Sequence, residues 1–137
     1  MSIDQDGHFS VRSVPLRFFG ANLVAEGAFP TKSKAGFIAG RLRKMGFNLV
    51  RFHHMDNPWS QASLFEQGWT TRQLNAVTLD RLENILAVLK RNGVYVDINL
   101  HVSRTFTRMD GLPDADSLRD YGKGINYFDS RVLTLHK

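Results

Sequence analysis

Arginine, histidine and aspartate crowd the ends of two short stretches, Asn48-Leu-Val-Arg-Phe-His-His-Met-Asp56 and Val94-Tyr-Val-Asp-Ile-Asn-Leu-His-Val102. The guanidinium of Arg51 is suited to keeping a carboxyl group ionised and holding it by paired hydrogen bonds. The imidazoles of His53, His54 and His101, taken with Asp56, also suit zinc. Both stretches begin apolar and finish polar. That is the pattern of parallel strands whose carboxyl ends carry an active-site face.

The elements around them must place those ends side by side. Ala35, Ile38, Ala39, Leu42 and Met45 recur at helical spacing, predicting a helix from about Ser33 to Met45 that Gly46 stops. A second helix is read from Leu79, Leu82, Ile85, Leu86 and Leu89, with Thr78 as N-cap, Lys90 and Arg91 in the last turn and Asn92-Gly93 as the stop. A strand follows each helix almost at once, and right-handed crossovers of this length join parallel strands. The segments after the strands are much longer, near residues 23–32, 55–77 and 102–128, so that side is the working side.

Side-chain parity divides the third strand into Val94, Val96, Ile98 and Leu100, suited to a helical layer, and Tyr95, Asp97, Asn99 and His101, suited to a barrel interior. By the same parity His53 and His54 point opposite ways unless the strand bulges. His8–Val11 and Pro15–Phe19, around Arg12-Ser13, predict an opening hairpin whose second arm runs into a core strand, Arg17–Asn22.

The 137 residues are 42% hydrophobic and 23% charged, the composition of one ordinary globular domain. No apolar run reaches a membrane span, and the first residues lack the basic and apolar regions of a signal peptide. No membrane partner is expected, and the cytoplasm is the default location. The absence of cysteine removes disulfides and thiolate metal sites. The net charge of +5 is dispersed, so no nucleic-acid partner is expected.

Gly7-His-Phe-Ser-Val11, Arg17-Phe-Phe-Gly-Ala-Asn-Leu23, the run from Arg41 to Asp56 and Asn92-Gly-Val-Tyr-Val-Asp-Ile-Asn-Leu-His101 resemble the opening of a cellulase-like, family 5 glycoside hydrolase. The resemblance implies α/β architecture, the N-terminal portion of a (β/α)8 TIM barrel over residues 1–137. Its expected parts are a hairpin (8–19), two βα units (17–92), a third strand with its following loop (94–128) and the start of a third helix (129–137). It implies a retaining O-glycosyl hydrolase acting on polysaccharide or oligosaccharide, with a carbohydrate as partner and no cofactor or metal. Arg51 then corresponds to the arginine that bonds the nucleophilic carboxylate, and His101 to a histidine lining the sugar site. Asn22, His53, His54, Trp59 and Trp69 become substrate-binding candidates, with Phe65 and Tyr121 as further rings able to stack on pyranose faces.

Retaining cleavage needs two carboxyl groups about 5 to 5.5 Å apart. The family's acid and nucleophile are glutamates closing its fourth and seventh strands, and Glu26, Glu66 and Glu83 match neither. The chain is therefore expected to be catalytically incomplete and inactive alone. Glu26 with Asp56 is the one carboxylate pair conceivable at the mouth. Other readings stay open: Arg51 as an ion-pair partner of Asp97, His101 as a hydrogen-bonded core histidine, a non-catalytic carbohydrate-binding or assembly module that self-associates through exposed sheet edges, and a metal-dependent hydrolase using His53, His54 and His101. Asp110, Asp114, Asp116 and Asp120 read as a solvated acidic loop.

Overall fold

In the computed structural model, residues 1–68, 70–120 and 123–135 are described, without the side chains of Lys123 and Ile125. The chain opens with β1 (Ser2–Ile3), β2 (Phe9–Val11) and β3 (Val14–Pro15), an antiparallel sheet in that order. Arg12 and Ser13 both take left-handed backbone angles, φ 50° and 64°, which suits a two-residue hairpin turn. The hairpin thus forms around the expected dipeptide, and β1 adds a strand that the sequence reading lacked.

Its second arm does not run into the core strand. Chain 17–19 is held instead by Asn48, whose side-chain oxygen accepts from Phe19 N at 2.7 Å and whose amide donates to Arg17 O at 2.7 Å. The core strand β4 therefore begins later than expected, at Gly20, and runs to Val24.

Two crossovers then build a parallel sheet. Helix α1 (Lys32–Lys44) leads to β5 (Leu49–His53), and α2 (Ala76–Arg91) leads to β6 (Tyr95–Ile98), with sheet order β4-β5-β6. Gly46 at φ 88° and Gly93 at φ 70° make the sharp turns after the helices, where a side chain would be strained. Helix α2 starts earlier than expected. Asn75, not Thr78, is the N-cap: its side chain accepts from Val77 N and Thr78 N, both at 3.0 Å. Thr78 lies within the helix, and its hydroxyl donates to Ser63 O.

The register dictates what each face of the sheet presents. Val50 and Phe52 project from β5 to the helical side, where both are fully buried against a cluster that includes Ala35, Ala39, Leu82, Ile85 and Leu89. Burying a side chain such as Phe52 contributes about 2–3 kcal/mol. Met45, expected in this core, is exposed because it caps α1. Val96 and Ile98 of β6 face the same side but stay 40% and 38% exposed, and Leu100 is more exposed still. Among the described residues no strand pairs with the outer edges of β4 and β6.

The segment after β6 is not a bare loop. It contains a 3-10 turn (Arg108–Asp110), helix α3 (Ala115–Asp120), a 3-10 turn (Lys123–Tyr127) and helix α4 (Ser130–Leu135). Phe106, Leu112, Ala115, Leu118 and Val132 form a second small core there. Asp110 is buried rather than solvated and accepts from Thr70 Oγ1, Thr71 N and Thr107 N. Burial opposes ionisation of Asp110, but these donors outweigh it and hold the carboxyl below its ordinary range. No helix among the described residues is long and apolar enough to cross a membrane.

Asp129 caps α4, accepting from Arg131 N at 2.8 Å. The Arg131 guanidinium binds both Asp129 and Asp114, and its hydrogen bonds pull the Asp129 carboxyl down to about 2. A depressed carboxyl stabilises above its unfolded value, near about 4, and that contribution is lost as pH falls through the folded value. The α4 cap is thus expected to release between about pH 4 and 2. A 13C titration of the Asp129 carboxyl checks this; a midpoint near 4 in the parent chain, unchanged in Arg131→Gln, would refute it.

Candidate functional site

The face of the sheet opposite the helices is polar toward its carboxyl end. Gly20, Leu49 and Tyr95 lie in one row across the three strands, and Asn22, Arg51 and Asp97 in the next. Val24 and His53 are paired above them, with Asn99 just past the end of β6. Strand parity therefore delivers Asn22 and Arg51 to one surface at the same height, with His53 above them.

Arg51 is held but not buried. Its Nε donates to Asn99 Oδ1 at 2.6 Å, and Asp97 Oδ2 lies 3.8 Å away. The Arg51 side chain is 43% exposed, so the Asp97 contact is a screened surface pair worth at most about 1 kcal/mol. His53 Nδ1 lies 3.3 Å from the same Asn99 oxygen. Asn99, absent from the sequence-based candidates, links the guanidinium to the imidazole; its parity with Asp97 and His101 was the available signal.

His54 does not point away from His53 as strand alternation requires. Its backbone turns left-handed, φ 56°, and brings the two rings to 4.1 Å between centroids at an angle of 60°. A non-glycine residue there carries strain of order 1 kcal/mol or more, of the kind found at functional sites. Trp59 stands edge-on to His54 at 5.3 Å and is 64% exposed, an apolar surface open to a ligand.

His54 Nδ1 is hydrogen-bonded to Ser103 Oγ, a pairing with the composition of a nucleophile and its base. The surroundings do not supply the rest of that chemistry. The N–H groups of Val102, Ser103 and Arg104 all donate to Asp56, so none of the three is available to an oxyanion. Ser103 is itself buried and acts to orient His54.

Asp56 is likewise buried, with its carboxylate committed to those three backbone donors. Glu26 accepts from Ser60 Oγ at 2.8 Å. The three backbone donors thus take Asp56 out of the Glu26 and Asp56 pair conceivable from sequence, while Glu26 stays exposed with one oxygen bonded to Ser60.

His101 leaves the sheet, because β6 ends at Ile98. Its side chain, 7% exposed, lies between Phe106 and Tyr127, with Nε2 3.2 Å from Asn126 Nδ2 and Nδ1 3.8 Å from Asp56 Oδ2. His101 and Asn99 contribute to the wall of a cleft of about 900 Å³, together with Phe65, Leu74, Tyr127 and Leu133. Arg51 and His101 thus differ in setting, one half-open on the sheet and one enclosed beneath the following loop. Phe65 has one face covered by the Arg104 guanidinium at 4.5 Å. Trp69 and Tyr121 lie outside the described residues.

The ligand atoms of His53, His54, His101 and Asp56 do not converge on a metal position. Among the described residues only Asp4, Asp6 and His8, all exposed, bring three such atoms within 4.8 Å of one another. Asp4 already accepts from Asp6 N and His8 N in its local turn.

A parallel sheet backed by crossover helices, with a polar row at its carboxyl end, is compatible with part of a TIM barrel. Residues 10–132 match the family model described as cellulase, glycosyl hydrolase family 5. The chain belongs to this family. No curated protein and no solved structure matches it. Glycosidase-like function and a carbohydrate substrate follow at family level. In this cellulase-family chain the match spans both crossovers, all three parallel strands and the segment that encloses His101.

Proposed function

We propose that the chain forms part of the sugar-binding rim of a retaining O-glycosyl hydrolase acting on polysaccharide or oligosaccharide, within a partial TIM-barrel domain over residues 1–137. Arg51 and His101 take supporting roles, while Asn22, His53, His54, Trp59 and Trp69 contact the sugar. One observation carries this reading: the half-open guanidinium of Arg51 stands in a row with Asn22 and Asp97 at the carboxyl end of the sheet, its Nε anchored on Asn99.

With Nε so engaged, the terminal nitrogens Nη1 and Nη2 are the groups that would hold a nucleophilic carboxylate ionised by two charge-assisted bonds. The exposed indole of Trp59 would stack on the apolar face of a pyranose. Asp56 is committed to three backbone donors, which leaves Glu26 without a carboxyl partner, so the isolated chain is expected to bind β-linked oligosaccharide without cleaving it.

Titrating the chain with cellotetraose while following amide shifts tests this. Binding centred on β5 and Trp59 is expected, weakened about tenfold by Trp59→Ala, the loss of roughly 1–1.5 kcal/mol of stacking. Absence of binding would defeat the saccharide reading. Hydrolysis of an aryl glycoside that is lost in Glu26→Gln would defeat the inactivity. The edges of β4 and β6, unpaired among the described residues, and the exposed Val96, Ile98 and Leu100 also favour self-association. Sedimentation of the same samples reports it, and a monomer at every concentration removes that part.

A further inference from the structure

We propose that Asn99 is a positioning residue that fixes the tautomer of His53 and so decides what His53 recognises. The geometry leaves little freedom. An arginine Nε–H is an obligatory donor, so the 2.6 Å contact from Arg51 requires the oxygen, not the nitrogen, of the Asn99 amide to face it. The same oxygen lies 3.3 Å from His53 Nδ1. An unprotonated Nδ1 would set two lone pairs against each other there. The neutral ring therefore carries its proton on Nδ1 and donates to Asn99, which makes Nε2 the acceptor.

This assignment separates the roles of the neighbouring imidazoles. His54 is oriented by Ser103 and stands edge-on to Trp59. His53 offers a lone pair beside them, suited to a neutral hydroxyl donor and not to an anion. On the saccharide reading of the site, on which this step rests, that donor is a sugar hydroxyl whose ring lies against Trp59. Asn99 acts through Arg51 and His53 together, anchoring one and setting the proton of the other.

The test is a long-range 1H–15N correlation spectrum of the labelled chain, read on the His53 ring above its protonation range. The parent chain should show a protonated Nδ1 and a bare Nε2. Asn99→Leu should shift the proton toward Nε2 and weaken cellotetraose binding about tenfold, as expected when one oriented acceptor is lost. Asn99→Asp keeps an oxygen in place and should retain the Nδ1–H form. The Asn99 backbone N–H donates to Phe52 O, a bond neither variant removes, and unchanged amide shifts along β5 confirm an intact sheet. A parent ring protonated on Nε2, or a Leu variant with the parent's tautomer, overturns the assignment. The expected tautomers with no Nε2 response to cellotetraose uphold the role of Asn99 and defeat the saccharide reading alone.

Discussion

Replacing Asp56 with alanine is expected to cost about 3–5 kcal/mol, the range seen when one member of a buried charged network is removed. The carboxylate takes the backbone N–H groups of three successive residues, Val102, Ser103 and Arg104, at 2.7 to 3.0 Å. Asp56 is only 5% exposed, and Ser103 and Arg104 are also buried, so water cannot readily replace it. Alanine leaves those donors orphaned and releases the turn that presents Ser103 to His54. The Asp56→Asn variant keeps one side-chain oxygen but aims an amide nitrogen at donors, and should cost about 2 kcal/mol. Urea unfolding of the three proteins measures this. A catalytic Asp56 predicts the contrary pattern, an Asn variant as stable as the parent; stability within about 0.5 kcal/mol for both variants would refute the loop-holding role.

Asp56 also marks where sequence reading stops. Its residue type and place after β5 are legible, and they invite a catalytic assignment. What decides its role is the set of N–H groups around it, forty-six to forty-eight positions away in the chain. Periodicity carries no information about that distance. It does carry the framework: Leu82, Ile85 and Leu89 on one helical face, Val50 and Phe52 on one strand face, and a glycine with positive φ after α1 and after α2 are local signals, and the parallel sheet follows from them.

The misplacements have local causes as well. Thr78 and Asn75 both have N-cap chemistry, but only Asn75 sits where one oxygen reaches two free N–H groups at the helix start. The opposition of His53 and His54 holds for an extended chain and fails because His54 leaves the extended region. Leu112, Ala115 and Leu118 already have helical spacing, yet α3 is six residues long, too short for its period to stand out from the acidic residues around it. For His101, the strand's parity was extended past Ile98, where the sheet ends.

Arg104→Ala is the second large effect expected, about 3–4 kcal/mol. The guanidinium lies between two aromatic faces, Phe65 at 4.5 Å and Phe106 at 4.6 Å. Its edge donates to Thr71 Oγ1 at 2.8 Å, Thr71 O at 2.9 Å and Leu135 O at 3.2 Å. One planar cation thus joins the loop before α2, the segment after β6 and the end of α4. Burial lowers its pKa, while Asp110 and Asp56 act in the opposite sense. Lysine cannot reproduce the planar stack or the fork of donors, so Arg104→Lys should recover less than half of the loss. The damage should also be uneven. Amides of β5 and α2 belong to the main core and should keep their hydrogen-exchange protection, whereas those of α4 and residues 70–74 should lose it first. Equal loss of protection across both regions, or a Lys variant as stable as the parent, would show that stacking and forked donation are not what fasten this segment to the loop before α2 and the end of α4.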